Sequence, residues 1–328
     1  MPPVTIVIPC YNEASRLDVE AYVRYVLREP PCRLLLVDDG STDGTADLLR
    51  DLAACNEDLC QVLLLESNRG KAEAVRRGIL HALQWRPRYI GYWDADLATP
   101  LDVIDDFYRQ LQRRPELRLI MGARVRLLGR TVERRPARHY LGRLFAAAAS
   151  CVLRLPIYDT QCGAKLFRVT DNFERLFQHP FVSPWIFDVE ILARMAAEVS
   201  AHGAPPLPWT VYEWPLQQWH DVQGSKVRPI DFLEAAFALL SIHWRYRGLL
   251  PPNRSATVLD PAPSRNAVQD PSRLAPISPN QSAAAVAAGS YPDTAPSTAA
   301  LKSSTNRPMT SCVSVADTGA RGLPEDFS

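Results

Sequence analysis

An α/β fold built on a mainly parallel sheet flanked by helices is predicted by three observations. Short apolar runs of strand length alternate with longer amphipathic stretches through the first half of the chain, the pattern of successive βα units. Each of the first four runs ends in a cluster of polar, turn-forming residues, which a parallel sheet would bring to one edge. From Pro251 the composition shifts to Pro, Ser, Ala, Thr and Asn with almost no aromatic residues. The organised part is therefore expected to span residues 1–250. The tail 251–328 is expected to be disordered, because it cannot bury enough apolar area to offset its ordering entropy.

Taken in order, the expected strands are Val4–Ile8, Arg33–Val37, Gln61–Leu65, Arg88–Trp93 and Arg118–Met121. Between them the apolar spacing predicts helices over Ala14–Arg28, Thr45–Ala54, Lys71–Gln84 and Leu101–Arg113. Ligands of open α/β sheets bind beyond the carboxyl ends of the strands. Those ends carry Pro9-Cys10-Tyr11-Asn12-Glu13, Asp38 to Thr45, Ser67-Asn68-Arg69-Gly70-Lys71 and Trp93-Asp94-Ala95-Asp96. Any single cluster reads as an ordinary turn, with Ser41 or Thr45 capping the next helix. Four such clusters on one edge, with carboxylates and a lysine, read as a ligand site. Asp94 and Asp96 lie two apart and can converge on one point, where hard oxygen donors suit Mg²⁺ or Mn²⁺.

Net charge is +1, which argues against a general nucleic-acid-binding chain, although eleven arginines fall between Arg109 and Arg143. That run reads as a solvated face or as a phosphate-binding patch, since the planar guanidinium suits phosphate. No aromatic platform is interleaved with it, which disfavours RNA. Seven cysteines with no CxxC pair read as reduced thiols, so the expected location is cytoplasmic. The opening Val4–Ile8 run is too short for a signal peptide, and no apolar run reaches the ~18 residues of a spanning helix.

Further along, Tyr158 to Lys165 is expected to turn into a strand, with Asp159 a candidate general base. Phe187 opens an amphipathic helix, and Asp188 in its first turn suits the helix dipole whatever its role. Trp209–Trp214 reads as a strand and Gln218 to Lys226 as a loop. In Pro229–Arg247, the residues Ile230, Leu233, Phe237, Leu240 and Trp244 share one helical face. That face reads either as core packing or, with the aromatic and basic end Trp244-Arg245-Tyr246-Arg247, as a helix resting peripherally on a membrane surface.

Val7-Ile8-Pro9-Cys10-Tyr11-Asn12-Glu13, Val37-Asp38-Asp39-Gly40-Ser41-Thr42-Asp43-Gly44-Thr45 and Asp94-Ala95-Asp96 together resemble the signature of family 2 glycosyltransferases. The resemblance covers residues 4–248 and implies an inverting enzyme with the Rossmann-like GT-A fold. Asn68-Arg69-Gly70-Lys71, Thr160 to Phe167 and Phe187-Asp188-Val189-Glu190 are similar to the branch that glucosylates dolichyl or other polyprenyl phosphates. It implies a nucleotide-sugar part, 1–123, and an acceptor part, 124–250. Asp96 would be the direct metal ligand, with Asp94 near the ribose and the metal. Asp39 would accept the uracil N3–H, and Pro9, Tyr11 and Glu13 would line the nucleoside. Lys71 would lie near the donor or stand solvated. Ser225 and Lys226 would close on the diphosphate with His220 nearby, while Arg124, Lys165 and Asp188 would serve the acceptor. Relatives that make mannosyl phosphates often carry a third oxygen ligand where this chain has Ala98, which points away from that branch.

The function expected is therefore metal-dependent transfer of a hexose, glucose first among candidates, from a UDP-sugar to a polyprenyl phosphate. A hydroxyl acceptor, which would need a true base, is the alternative within the class. A nucleotide-sugar-binding regulatory module without turnover is the alternative outside it.

Overall fold

Strand ends are brought to one level by the register of the sheet, and that is what builds the site. The computed structural model describes residues 2–28, 30–125, 128–129, 131–132, 136–203, 205–219 and 229–250. The tail 251–328 and the loop 220–228, with His220, Ser225 and Lys226, lie outside the described residues, as do Arg126, Arg130, Arg134 and Arg135.

In chain order the elements are β1 Val4–Cys10, α1 Val19–Leu27, β2 Cys32–Asp38, α2 Thr45–Ala54, β3 Cys60–Leu64, α3 Lys71–Ala82, β4 Tyr89–Trp93, α4 Val103–Arg113 and β5 Leu119–Ala123. Then follow β6 Thr131–Val132, α5 Pro136–Leu153, β7 Ala164–Arg168, α6 Arg175–Gln178, α7 Phe187–His202, α8 Leu207–Thr210, β8 Val211–Pro215, β9 Gln218–Trp219 and α9 Pro229–Tyr246. The main sheet has the order β3-β2-β1-β4-β7-β5-β8, and β6 pairs with β9 separately. Only β7 runs antiparallel to its neighbours β4 and β5; the other pairs in the main sheet are parallel. The expected mainly parallel sheet is present, with one reversed strand threaded into its middle.

Because β1 and β2 are covered on both faces, they read as nearly continuous apolar runs. Val7, Leu35, Val37 and Tyr92 face a core shared with Val75 and Ile79 of α3, Phe187 of α7 and Ile242 of α9. Ile6, Ile8, Leu34, Leu36 and Trp93 face the other core, with Tyr22, Leu49 and Phe107 of α1, α2 and α4. Cys10 lies opposite Asp38, and Asp38 opposite Leu64, so the three loops that follow leave the sheet together.

Most element boundaries shift by one or two residues from expectation, and two of the differences have visible reasons. The first helix starts at Val19 rather than Ala14 because a turn comes first, with Arg16 and Leu17 amides donating to the Glu13 carbonyl at 2.8 Å each. Asp18 then caps the helix by accepting from the Ala21 amide at 3.0 Å. The strand expected from Trp209 starts at Val211, because Leu207–Thr210 forms a helical turn with Pro208 in its first positions. Among the described residues no helix is long and apolar enough to cross a membrane.

Candidate active site

The first two loops are laced together by their own signature residues. The Asn12 amide donates to Ser41 Oγ at 3.0 Å, and the Thr42 amide donates to Asn12 Oδ1 at 2.9 Å. Glu13 and Ala14 amides both donate to Thr45 Oγ1, at 2.8 and 3.0 Å. Ser41, Thr42 and Thr45 thus hold the β1 loop against the β2 loop. Glu13, expected at the nucleoside, pairs its carboxylate with Arg16 at 2.6 Å. Pro9, next to last in β1, lies opposite Val37, and Tyr11 follows the strand at the rim, half-buried.

Asp39 organises the third loop. Its carboxylate is 3 % exposed and accepts the Arg69 amide at 2.9 Å and the Gly70 amide at 2.8 Å. Burial pushes its pKa up, against the pull of those two amides. Gly40 has φ +66°, and a Cβ there would lie 2.6 Å from the Ser67–Asn68 backbone, so only glycine lets the two loops meet. Gly70, at φ +88°, then launches α3 so that Lys71 reaches Asp94 and forms an ion pair with its Oδ1. Burial works against the Lys71 ammonium, yet the surrounding carboxylates, Asp94 first, then Asp188 and Asp96, raise its pKa. Asp96 has its carboxyl raised by burial and by the charge of Asp94, and accepts the Ala98 amide at 3.1 Å.

Across the sheet from these loops, the start of the reversed strand β7 meets the end of β4. The Asp94 amide donates to the Gly163 carbonyl at 3.0 Å, and a Cβ at Gly163 would fall 1.9 Å from Asp94 Oδ2. Lys165, expected to face an acceptor phosphate, has a different setting. It is 0 % exposed and donates to Asp188 Oδ1 at 2.5 Å, the Thr160 carbonyl at 3.0 Å and the Cys162 carbonyl at 2.7 Å. All three donors of its ammonium are thus engaged by protein. Asp188 also accepts from the Tyr92 hydroxyl and is buried. Asp159 is clasped by Arg124, whose Nε and Nη2 donate at 2.6 and 2.7 Å to its two oxygens. The Arg124 guanidinium stacks 5.3 Å from the Trp219 ring.

Comparison with known proteins settles the class. A family model described as "Glycosyl transferase family 2" matches residues 5–175. The chain belongs to this family. It is 31 % identical over 265 residues to a dolichyl-phosphate beta-glucosyltransferase of Drosophila melanogaster, covering 74 % of this chain and 75 % of that one. It is 29 % identical over 255 residues to one from Trichomonas vaginalis, covering 74 % and 71 %. Glucosyl-3-phosphoglycerate synthase from Mycobacterium tuberculosis, solved with Mn²⁺, UDP-glucose and phosphoglyceric acid, shares the fold with a TM-score of 0.52. That likeness covers 74 % of this chain and 79 % of the synthase at 16 % identity.

Within this glycosyltransferase, the structure brings together Asp39, Lys71, Asp94, Asp96, Lys165 and Asp188, with Asp159 and Arg124 on the neighbouring strand ends. Among the described residues no three His, Cys, Asp or Glu side chains are arranged to hold a metal ion. The donor set still fits a hard dication. Burial and the charge of Asp94 raise the pKa of Asp96, Asp94 is backed by Gly163 where a Cβ would fill its place, and Ala98 adds no ligand. A shell completed by diphosphate and water suits such a pair. Two residues escaped the sequence reading: Glu213 accepts the Tyr158 amide at 3.0 Å and the Asp159 amide at 2.8 Å, and Tyr92 braces Asp188. Arg143, read within the arginine run as solvated or phosphate-binding, donates to the Tyr158 carbonyl at 3.0 Å. Glu213 between Tyr212 and Trp214 of β8 offered a signal, since a carboxylate amid apolar strand neighbours needs a buried partner.

Proposed function

We propose that this enzyme transfers a hexose, glucose first among candidates, from a UDP-sugar to a polyprenyl phosphate with inversion at the anomeric carbon. The observation that carries this reading is the state of the carboxylates on the acceptor side. Asp159 is held on both oxygens by Arg124, and Asp188 accepts from both Lys165 and Tyr92 on one oxygen, Oδ1. Each carboxylate is thus already bound to a cation, an arrangement that supports an acceptor needing no base. A phosphate monoester needs no base, because its second pKa lies near ~6 and it is already a nucleophilic anion at neutral pH. Its oxygen attacks the anomeric carbon from the face opposite UDP; the new C–O bond forms as the old one breaks, and UDP leaves with the electron pair. Relatives named dolichyl-phosphate beta-glucosyltransferases support the same donor sugar and acceptor class.

Asp39 would accept the uracil N3–H, with Pro9, Tyr11 and Glu13 lining the nucleoside. Asp94 and Asp96 would hold Mg²⁺ or Mn²⁺, which supplies positive charge against the departing diphosphate. Ser225 and Lys226 would meet that diphosphate, His220 would lie by the acceptor, and Arg124 would present its remaining guanidinium edge to the acceptor phosphate. Lys165 and Asp188 act as positioning residues that fix the Thr160–Cys162 turn.

A membrane-facing helix fits a lipid acceptor. In α9, Ala238, Leu239, Ile242 and Tyr246 are buried, whereas Phe237 is 70 % exposed, Leu240 55 % and Trp244 61 %. Of the two readings of this face, the exposed stripe supports a peripheral lipid-surface contact, with Arg247 stacked 4.1 Å from Trp244 beside the headgroups. The decisive experiment supplies radiolabelled UDP-glucose and polyprenyl phosphate in vesicles. Label is expected in the organic-extractable lipid; label only in aqueous products from active enzyme would overturn the lipid acceptor. Replacing Phe237, Leu240 and Trp244 with serine should lower co-sedimentation with anionic vesicles, and unchanged sedimentation would remove the α9 assignment.

A further inference from the structure

Lys71 occupies the position that matters most to the metal pair. Its ammonium is bound to Asp94 Oδ1, and both side chains are about one-third exposed, at 32 % and 35 %. The contact is built rather than incidental. Asp39 pins the Arg69 and Gly70 amides, and Gly70 sits where a Cβ would approach Pro184 to 3.1 Å, so the backbone that carries Lys71 is fixed on both sides. Asp94 is equally constrained, by the hydrogen bond its amide donates to the Gly163 carbonyl and by the absence of a side chain there. The neighbouring carboxylate Asp188 already holds Lys165 and Tyr92, and among the described residues Lys71 is the cation that ion-pairs with Asp94.

We propose that Lys71 is an exchangeable counter-ion. It neutralises the Asp94–Asp96 pair while the site lacks donor, and it moves from Asp94 to the diphosphate when a divalent cation and nucleotide arrive together. The proposal rests on the metal-dependent reading above and deepens it. A monovalent ammonium and a hard dication compete for the same Asp94 oxygen. Without nucleotide, displaced Lys71 has no anion to take in exchange, and the cation binds weakly. With nucleotide present, the phosphate oxygens receive the ammonium and supply ligands to the cation, and both bind more tightly. Cation and donor are thereby made to load as one unit, which guards the site against idle cation occupancy.

The test is Mn²⁺ binding followed by electron paramagnetic resonance on the whole chain, with and without UDP and with no turnover measured. Lys71→Gln is expected to bind Mn²⁺ about five- to tenfold more tightly than wild type without UDP, the range set by the loss of one part-exposed ion pair and of a like charge. The enhancement that UDP gives wild type should shrink correspondingly. Lys71→Arg, which keeps the charge, should stay within about twofold of wild type in UDP-free affinity. Circular dichroism confirms that each variant is folded. Unchanged or weaker UDP-free affinity in Lys71→Gln, with Mn²⁺ binding otherwise intact, overturns the proposal alone. No Mn²⁺ binding by wild type or variant, with or without UDP, overturns the metal reading and this proposal together.

Discussion

Gly163→Ala separates the site from the fold more cleanly than replacing a charged residue would. The added methyl would lie 1.9 Å from Asp94 Oδ2, 2.1 Å from Cγ and 2.2 Å from Oδ1. Asp94 must then withdraw by about 1.5 Å to restore the ~3.5 Å of an ordinary non-bonded contact. Because the obstructing atoms are the end of a side chain that is 35 % exposed, the carboxylate can turn away without moving the sheet. Overpacking in a rigid core costs about 1–3 kcal/mol, and here the lower end applies. The ion pair with Lys71 is lost as well, a part-exposed contact worth no more than about 1 kcal/mol. Melting temperature should fall by only about 2–5 °C. Sugar transfer should suffer far more, by about 100-fold, because a displacement of ~1 Å in a reacting constellation carries a penalty of that order. Initial rates of transfer from UDP-glucose and thermal denaturation, measured on the same preparation, give both numbers. A variant that keeps transfer within about threefold of wild type would refute the claim that the position of Asp94 matters.

Lys165→Met should destabilise the protein by about 3–5 kcal/mol in urea denaturation, since it leaves the buried Asp188 carboxylate without its cation. A loss of activity with stability unchanged would instead return Lys165 to the acceptor phosphate. UDP affinity should fall on acidification with a midpoint above the ordinary Asp value of about 3.9, because burial raises the Asp39 pKa and only the carboxylate can accept the uracil N3–H at that oxygen. The linkage sign agrees: with its folded value above its unfolded one, Asp39 contributes stability that is present below the unfolded pKa and lost as pH rises through the folded pKa. Calorimetric titration of UDP between about pH 3 and 7 checks the first point, and a midpoint at or below about 3.9 would contradict it.

The strand-end clusters were legible because each depends on local chemistry. Turn residues follow buried apolar runs, and the parallel order of β1 to β4 then aligns them. Ser41, Thr42 and Thr45 were visible as turn residues, but the helix cap expected of Ser41 or Thr45 is not made, because Gly44 is the N-cap of α2. Their true partners were hidden because Asn12 and Glu13 lie about thirty residues away. Lys165 shows the limit best. Read alone, it is a lysine near a strand start, and water is its natural environment. Its burial follows from β7 being threaded between β4 and β5, a pairing no local pattern reports. A hint was available in the period of the strand: Lys165 and Phe167 are two apart and share a face, and Phe167 belongs to the core.

That buried lysine changes how the site's charge balance is understood. Asp188 has Lys165 and Asp159 has Arg124, each carboxylate facing a cation at hydrogen-bond distance. Asp39 has two backbone amides. Asp94 and Asp96 share Lys71, which leaves this point of the described sheet edge with more negative charge than its partners offset. A preorganised site places its unmatched field where the reaction will change charge. In the proposed reaction, breaking the sugar–UDP bond would add negative charge to the diphosphate, so the cation that answers it would have to be absent, or differently engaged, beforehand. Lys71 on Asp94 meets the second condition, and the surplus carboxylate meets the first by leaving room for a dication. The buried Lys165–Asp188 pair beside them keeps its own charges from competing for either role.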